Sequence, residues 1–353
     1  MKRWAWIIVN TFACGGMLFV GHLWPEQIER IYSRGIYVAI TNQLALISRW
    51  FPFSLSELYF LIIGSITIIF LVLGIGYGLR RQRKKSLSFF LNVVVIVSVN
   101  VTMFLMLWGL NNYRLNIETL FEFNAQSITQ VDLENTYQWL ITQANQTKED
   151  MGEEDILDRK TIMNITDEGY TALSQSYSFI VERQARVKPL SVSKFFSQSG
   201  YSGVYLYVFS EPTINIMPHI TSLPFVASHE MAHQQGFASE DDANFIGFLA
   251  ASQHEEKLFR YSAYLSGMSY VGNSLYKTDA KAYRDLYSSI SPAVLKDLKA
   301  RSDFWEQHRK PQAERVHNQV NDLFLKANNQ PDGVLNYSNV SKLIVLGYKK
   351  QLY

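Results

Sequence analysis

The sequence predicts a mainly helical protein: three N-terminal transmembrane helices, then a mostly helical α+β domain with a small β-sheet. Three observations lead there. Residues 4–24, 58–79 and 89–110 are apolar runs of about the 20 residues a helix needs to cross a bilayer. From Asn111 onward the composition turns mixed, with apolar residues returning at helical spacing. Among those stretches stand two short β-branched and aromatic runs, 204–209 and 213–216, which read as strands or a hairpin.

The first run follows Met1-Lys2-Arg3 and holds no acidic or basic residue apart from His22. A cleaved signal peptide has the same charged start. This run is long for one, and Pro25-Glu26-Gln27 follows it where a small-residue cleavage site would stand, so it reads as a retained span. Residues 25–56 place Ile28, Tyr32, Ile36, Ile40, Leu44 and Ile47 at near-helical spacing, broken by Arg30, Arg34 and Arg49. That is an amphipathic segment, near the membrane surface or packed on the other helices. Trp50-Phe51-Pro52-Phe53 reads as an interfacial anchor. The second and third runs lack the polar face a buried soluble helix pair would carry.

Arg80-Arg81-Gln82-Arg83-Lys84-Lys85 joins the second run to the third. Short basic loops stay in the cytoplasm, and Lys2 and Arg3 favour a cytoplasmic N-terminus. Three spans then carry the chain outside. The expected layout is a membrane domain at 1–110 and an extracytoplasmic domain at 111–353.

With 33 Lys and Arg against 31 Asp and Glu, the net charge of +2 gives no field for nucleic acid. The lipid bilayer is the partner that composition implies. The single cysteine, Cys14, lies in the first span, which excludes an internal disulfide and a thiolate zinc site. Any metal must be held by His and carboxylate.

In the second domain, 132–145 reads as a helix, 148–160 as a charged loop or exposed helix, and 170–187 as another helix. Gly200-Tyr201-Ser202-Gly203 marks a turn before the strands. Beyond Ala251 the chain is helical again, up to a turn at 329–333 and a closing helix over 340–348.

Ser228-His229-Glu230-Met231-Ala232-His233-Gln234-Gln235-Gly236 is the stretch that carries chemistry. Residues four apart share a helix face, so His229 and His233 can point two imidazoles at one metal ion. Glu230, one position on, can reach a water there and act as its base. The competing reading is a chance match on an ordinary helix. Against it, the chain has only 7 His, and two fall at ligand spacing around a Glu. Gly236 supplies the helix stop.

A catalytic zinc usually has three protein ligands and an open position. Ser239 reads as the N-cap of a second helix, with Glu240 opening it and Asn244 one turn on. Glu240 is the expected third ligand, with Asp241 or Asp242 as substitutes. Asn244 stands where gluzincins, which this Glu-x-x-x-Asn resembles, carry an Asp that holds a ligand His, and the resemblance implies the same role for it here.

The pattern resembles the zincins. Glu240-x-x-x-Asn244 resembles the Glu-x-x-x-Asp of gluzincins, and Glu240-x-x-Ala243-Asn244 resembles the CaaX-processing membrane proteases. The spacing departs from both, because Glu240 follows His233 by only seven positions. The metzincin third ligand would fall on Ser239, a poor ligand. Over nearly its full length the chain resembles a family of bacterial multi-span membrane proteins with a gluzincin-type metallopeptidase domain. His229, Glu230, His233, Gln234, Gly236, Glu240, Ala243 and Asn244 carry the resemblance, with Leu223-Pro224-Phe225 ahead and Asp332-Gly333 near the end. It implies Zn²⁺ on His229, His233 and Glu240, Glu230 as general base, and a peptide or protein substrate. It implies a strand lining the cleft, and a downstream Tyr or His steadying the oxyanion, for which Tyr337 and His317 are candidates. A cell-wall peptide amidase with the same zinc site is one rival expectation, and a non-catalytic scaffold retaining a metal site is another.

Overall fold

The computed structural model describes every residue except Met1, 124–127, Gln184 and 329–336, and leaves aside the side chains of Lys2, His317, Phe324, Leu325, Ala327, Tyr337 and Ser338. The chain is mainly helical, with one small three-stranded sheet. It divides into two compact units. The first is Met1–Arg114 with Leu206–Ser210, and the second is Leu115–Tyr205 with Glu211–Tyr353.

The first unit opens with α1 (Lys2–Leu23), the short α2 (Pro25–Gln27), a π-helix (Ile28–Ile36) and α3 (Tyr37–Ser48). Two long helices follow, α4 (Leu55–Leu79) and α5 (Arg83–Leu107). α1 from Arg3, α4 and α5 are long and apolar enough to cross a bilayer, which marks a membrane-associated protein. Their outward surface carries large apolar side chains such as Phe12, Leu61, Ile68 and Val72, which water would penalise and lipid would not. Polar contacts lock the helices together: Thr102 Oγ1 donates to Asn10 Oδ1 at 3.0 Å, Cys14 Sγ lies 3.3 Å from the same hydroxyl, and Tyr59 donates to Asn100 at 2.8 Å. Cys14 therefore faces a helix.

The amphipathic segment packs inward. The π-helix buries Glu29, which Arg114 grips with two nitrogens at 2.9 Å and Arg34 reaches at 2.7 Å. Tyr32 donates to the Met106 carbonyl at 3.0 Å, and Ser33 to Asn111 Oδ1 at 2.8 Å. A carboxylate buried without such partners would be strongly destabilising.

The second unit begins with α6 (Ile117–Leu120) and α7 (Gln130–Glu149), the latter opened by a Thr129–Asp132 capping box. Next come α8 (Arg159–Ile165), α9 (Glu168–Ser176), β1 (Lys188–Pro189), α10 (Ser193–Ser199), β2 (Gly203–Leu206) and β3 (Glu211–Ile214). The rest is helical: α11 (Leu223–Gln234), α12 (Glu240–Ser252), α13 (Lys257–Thr278), α14 (Ala280–Tyr287), α15 (Pro292–His308), α16 (Pro311–Ala327) and α17 (Tyr337–Lys349). The sheet order is β1-β3-β2, with β1 parallel to β3, so β2 is an edge. α13 is the central rod, packed against α7, α11, α12 and α17. Phe237, Phe245, Phe248, Leu249, Phe259 and Leu265 are fully buried around it.

Two local expectations change. The helix expected over 170–187 stops at Ser176. Gln235 then serves the Val181 backbone on both sides, accepting from its N–H at 3.1 Å and donating to its carbonyl at 2.7 Å. Those bonds replace the ones a helix would have made. The run at 204–209 is a strand only to Leu206, and Tyr207–Phe209 is a 3-10 turn ending at Ser210 with φ 55.

Candidate metal centre

α11 is built to hold its histidines rigidly. Pro224 stands in its first turn, and the Phe225 N–H there, which has no partner within the helix, donates to the Ser262 hydroxyl of α13 at 3.1 Å. At the other end Gly236 takes φ +89, a conformation that side chains disfavour. Gly236 N–H bonds the His233 carbonyl and Phe237 N–H the Ala232 carbonyl, both characteristic of a Schellman stop. The chain turns back at once into α12. Ser239 occupies the cap position, but its side chain makes no cap hydrogen bond.

Gly247 sets how α12 crosses α11. A Cβ at that position would sit 2.8 Å from the His229 N and Cα. The helices therefore touch backbone to backbone at the first ligand. Glu240 lies two turns before Gly247 on the same face, so the crossing brings its carboxylate over both imidazoles. His229 Nε2 is 3.4 Å from Glu240 Oε2, and His233 Nε2 is 3.7 Å from Glu240 Oε1. Among the described residues, these three form the one group that could hold a metal ion. Ligand atoms about 2.1 Å from a tetrahedral zinc stand about 3.4 Å apart. A donor set of two imidazole nitrogens and a carboxylate suits Zn²⁺, and both histidine-to-Glu240 distances match that separation.

His233 is held from behind, its Nδ1 2.7 Å from the Phe237 carbonyl. The bond places the proton on Nδ1 and the lone pair on Nε2, the atom that faces Glu240. Burial pushes the His233 ring down to about 4, so it is neutral at pH 7, as a ligand must be. Burial pulls the same way on His229, but the hydrogen bond to Glu240 and the charges of Glu230 and Glu240 raise it. Glu240 is drawn below the usual carboxylate range. Burial alone would raise it, but the His229 hydrogen bond and both imidazoles outweigh that. Its side chain is 48% exposed, so solvent damps the effect.

Glu230 is not one of the three donors. It is 3% exposed, its Oε2 has no hydrogen-bond partner, and burial pushes its carboxyl up to about 8. Its other side rests on Gly203, where a Cβ would come within 2.4 Å of Oε1. β2 thus begins against Glu230, and only glycine permits that approach.

The structure brings together His229, His233 and Glu240 and sets Glu230 beside them. Asp241 faces elsewhere, accepting from Asn339 at 3.2 Å. Asn244 lies beside the His229 ring and favours its protonated form, yet His229 Nδ1 makes no hydrogen bond of good geometry. Instead Asn244 Oδ1 accepts from the Tyr270 hydroxyl at 2.8 Å. The Tyr337 and His317 side chains and the 329–333 turn lie outside the described residues. Sequence reasoning missed Gly203, Gly247 and Tyr270. The glycines carry a faint signal, one closing a Gly-x-x-Gly turn and one interrupting a helix, whereas Tyr270 carries none.

Fold and site together define a membrane-associated helical protein with a His–His–Glu cluster on two crossed helices. Residues 32–345 match the family described as Protein of unknown function (DUF3810), and the chain belongs to it. No curated protein and no solved structure matches the chain.

Proposed function

We propose that the second unit is a zinc-dependent metallopeptidase of gluzincin type, anchored by the first unit and acting outside the cytoplasm. One observation carries the reading: both Nε2 atoms face the two Glu240 oxygens at 3.4 and 3.7 Å, with a buried, unpaired carboxylate oxygen of Glu230 alongside. Metal binding alone needs no Glu230, and burying a carboxylate without a partner is costly.

His229, His233 and Glu240 would hold the ion. Bound there, Zn²⁺ would polarise the scissile carbonyl and lower the pKa of water to about 7. Glu230 takes a proton from the attacking water as its oxygen bonds the carbonyl carbon. It returns that proton to the amine nitrogen as the C–N bond breaks. The Phe237 carbonyl keeps the His233 proton on Nδ1 throughout. β2, a sheet edge that starts against Glu230, offers backbone to an extended substrate.

The test is metal analysis and peptide digestion on full-length protein purified in detergent. The expected result is about one zinc per chain and cleavage of a defined peptide mixture, lost on chelation and restored by zinc. Cleavage of wall-derived peptides alone would favour the amidase. Zinc without hydrolysis of either would favour the scaffold.

The orientation rests on the basic stretch 80–85, which closes α4 and opens α5. Arg3 supports it by bonding the Ser88 carbonyl at 3.1 Å and hydroxyl at 2.6 Å, which sets the starts of α1 and α5 on one side. A reporter active only outside the cytoplasm is expected to work when fused after Tyr353 and fail at Gln82. The reverse pattern would sink this orientation.

A further inference from the structure

Leu206–Ser210, the turn that follows β2, belongs to the first unit. The buried Ser56 hydroxyl, at the start of α4, holds it in place. Phe209 N–H donates to Ser56 Oγ at 3.1 Å, and that hydroxyl donates to the Leu206 carbonyl at 3.4 Å. The turn thereby sets the Tyr207 ring against both long helices, 5.9 Å from Phe60 of α4 and 5.3 Å from Phe104 of α5. A tyrosine packed in this way usually finds a partner for its hydroxyl. The Tyr207 hydroxyl makes no hydrogen bond among the described residues.

Tyr207 stands at one end of a groove of about 290 Å³ between α4 and α5, lined also by Ile63, Thr67, Ile96, Val97 and Asn100. Thr67 and Ile96 fall near the middle of their helices, and Phe104 follows Ile96 by two turns. At 1.5 Å per residue the groove is about 12 Å long. One leaflet of a bilayer has a hydrocarbon depth of about 15 Å. The rim opens on the apolar outer surface of the helices, where Val97 and Val101 are 52% and 46% exposed. The polar groups of the wall are already engaged. Thr67 donates to the Ile63 carbonyl, and Asn100 accepts from Tyr59 and donates to the Ile96 carbonyl, each at 2.8 Å. An aliphatic channel thus ends at one donor without an acceptor.

We infer that this groove is a binding site for a membrane phospholipid, with an acyl chain lying between α4 and α5 and its ester carbonyl accepting from Tyr207 Oη. The groove is continuous with the apolar surface that lipid covers, so an acyl chain enters it without crossing water. The ester carbonyl is the first acceptor such a chain carries, at the depth where tyrosine is favoured in membrane proteins. The site uses no residue of the metal centre, so it stands or falls apart from the peptidase reading.

Native mass spectrometry of the full-length protein in detergent tests it, by titration with a diester phospholipid and with its diether analogue, which has no carbonyl. Wild type is expected to bind the diester saturably, and the diether about 2- to 10-fold more weakly, the effect of one neutral hydrogen bond. Tyr207→Phe should bring the diester down to the level of the diether and leave the diether unchanged. Val97→Trp should fill the groove and remove saturable binding of both. Equal affinity of wild type for the two lipids, or a diester preference that survives in Tyr207→Phe, would overturn the site. So would the absence of saturable lipid, or a lipid-free dimer in which a second copy fills the groove. If Tyr207→Phe does not fold, the wild-type preference and the Val97→Trp result still decide.

Discussion

Glu230→Gln is expected to keep its zinc and lose turnover by about 10²- to 10⁴-fold, the usual contribution of a general base. Glutamine preserves the shape that packs on Gly203, so the fold should survive. It cannot accept the proton. The choice of residue is what makes the test sharp, because Glu230 lies beside the donors and is absent from the ligand group. The sign of its pKa matters as well. Burial raises it to about 8, which favours the neutral carboxyl. A cation held by the three donors favours the ionised form, the one that can act as a base. Inductively coupled plasma analysis beside a peptide-cleavage assay decides the outcome. Full activity in Glu230→Gln would mean that the site does not work by a Glu base.

His233→Ala should lose metal and activity together, and Glu240→Ala should lower zinc stoichiometry sharply. The Glu240 carboxylate alone spans both imidazoles, with one oxygen toward each. Asp241 is turned toward Asn339 and cannot take over without moving. Asn244→Ala should weaken zinc by roughly 10- to 100-fold, the usual effect of losing a residue that steadies a ligand. Here it would act by freeing Tyr270 and loosening the wall beside His229. Equilibrium dialysis against zinc reads all three variants. Full occupancy in Glu240→Ala would pass the ligand role to another acid.

The centre was legible where the information is local. His229 and His233 are read from helical spacing, Gly236 from its position after the ligand helix, and Glu240 from the start of the next helix. The membrane spans were equally plain, because lipid demands long apolar runs. What stayed hidden depends on contacts distant in sequence. Nothing around position 203 shows that its missing side chain makes room for Glu230, and nothing near Tyr270 announces Asn244. The expected helix over 170–187 failed for a related reason. Its aromatic and apolar spacing was helical, but the Gln235 side chain claims the Val181 backbone from far along the chain.

The close spacing of the ligands bears on how the protein matures. All three donors fall between positions 229 and 240, and the turn at Gly236 closes the distance between them. Bringing them together costs little chain entropy, because the loop to be closed is short and its bend is built into a left-handed glycine. Sites assembled from distant strands must wait for the slow, non-local part of folding. Here all three candidate donors sit on the α11–α12 pair. In the proposed metal-bound form, zinc would bridge that pair and add its binding free energy to that of folding.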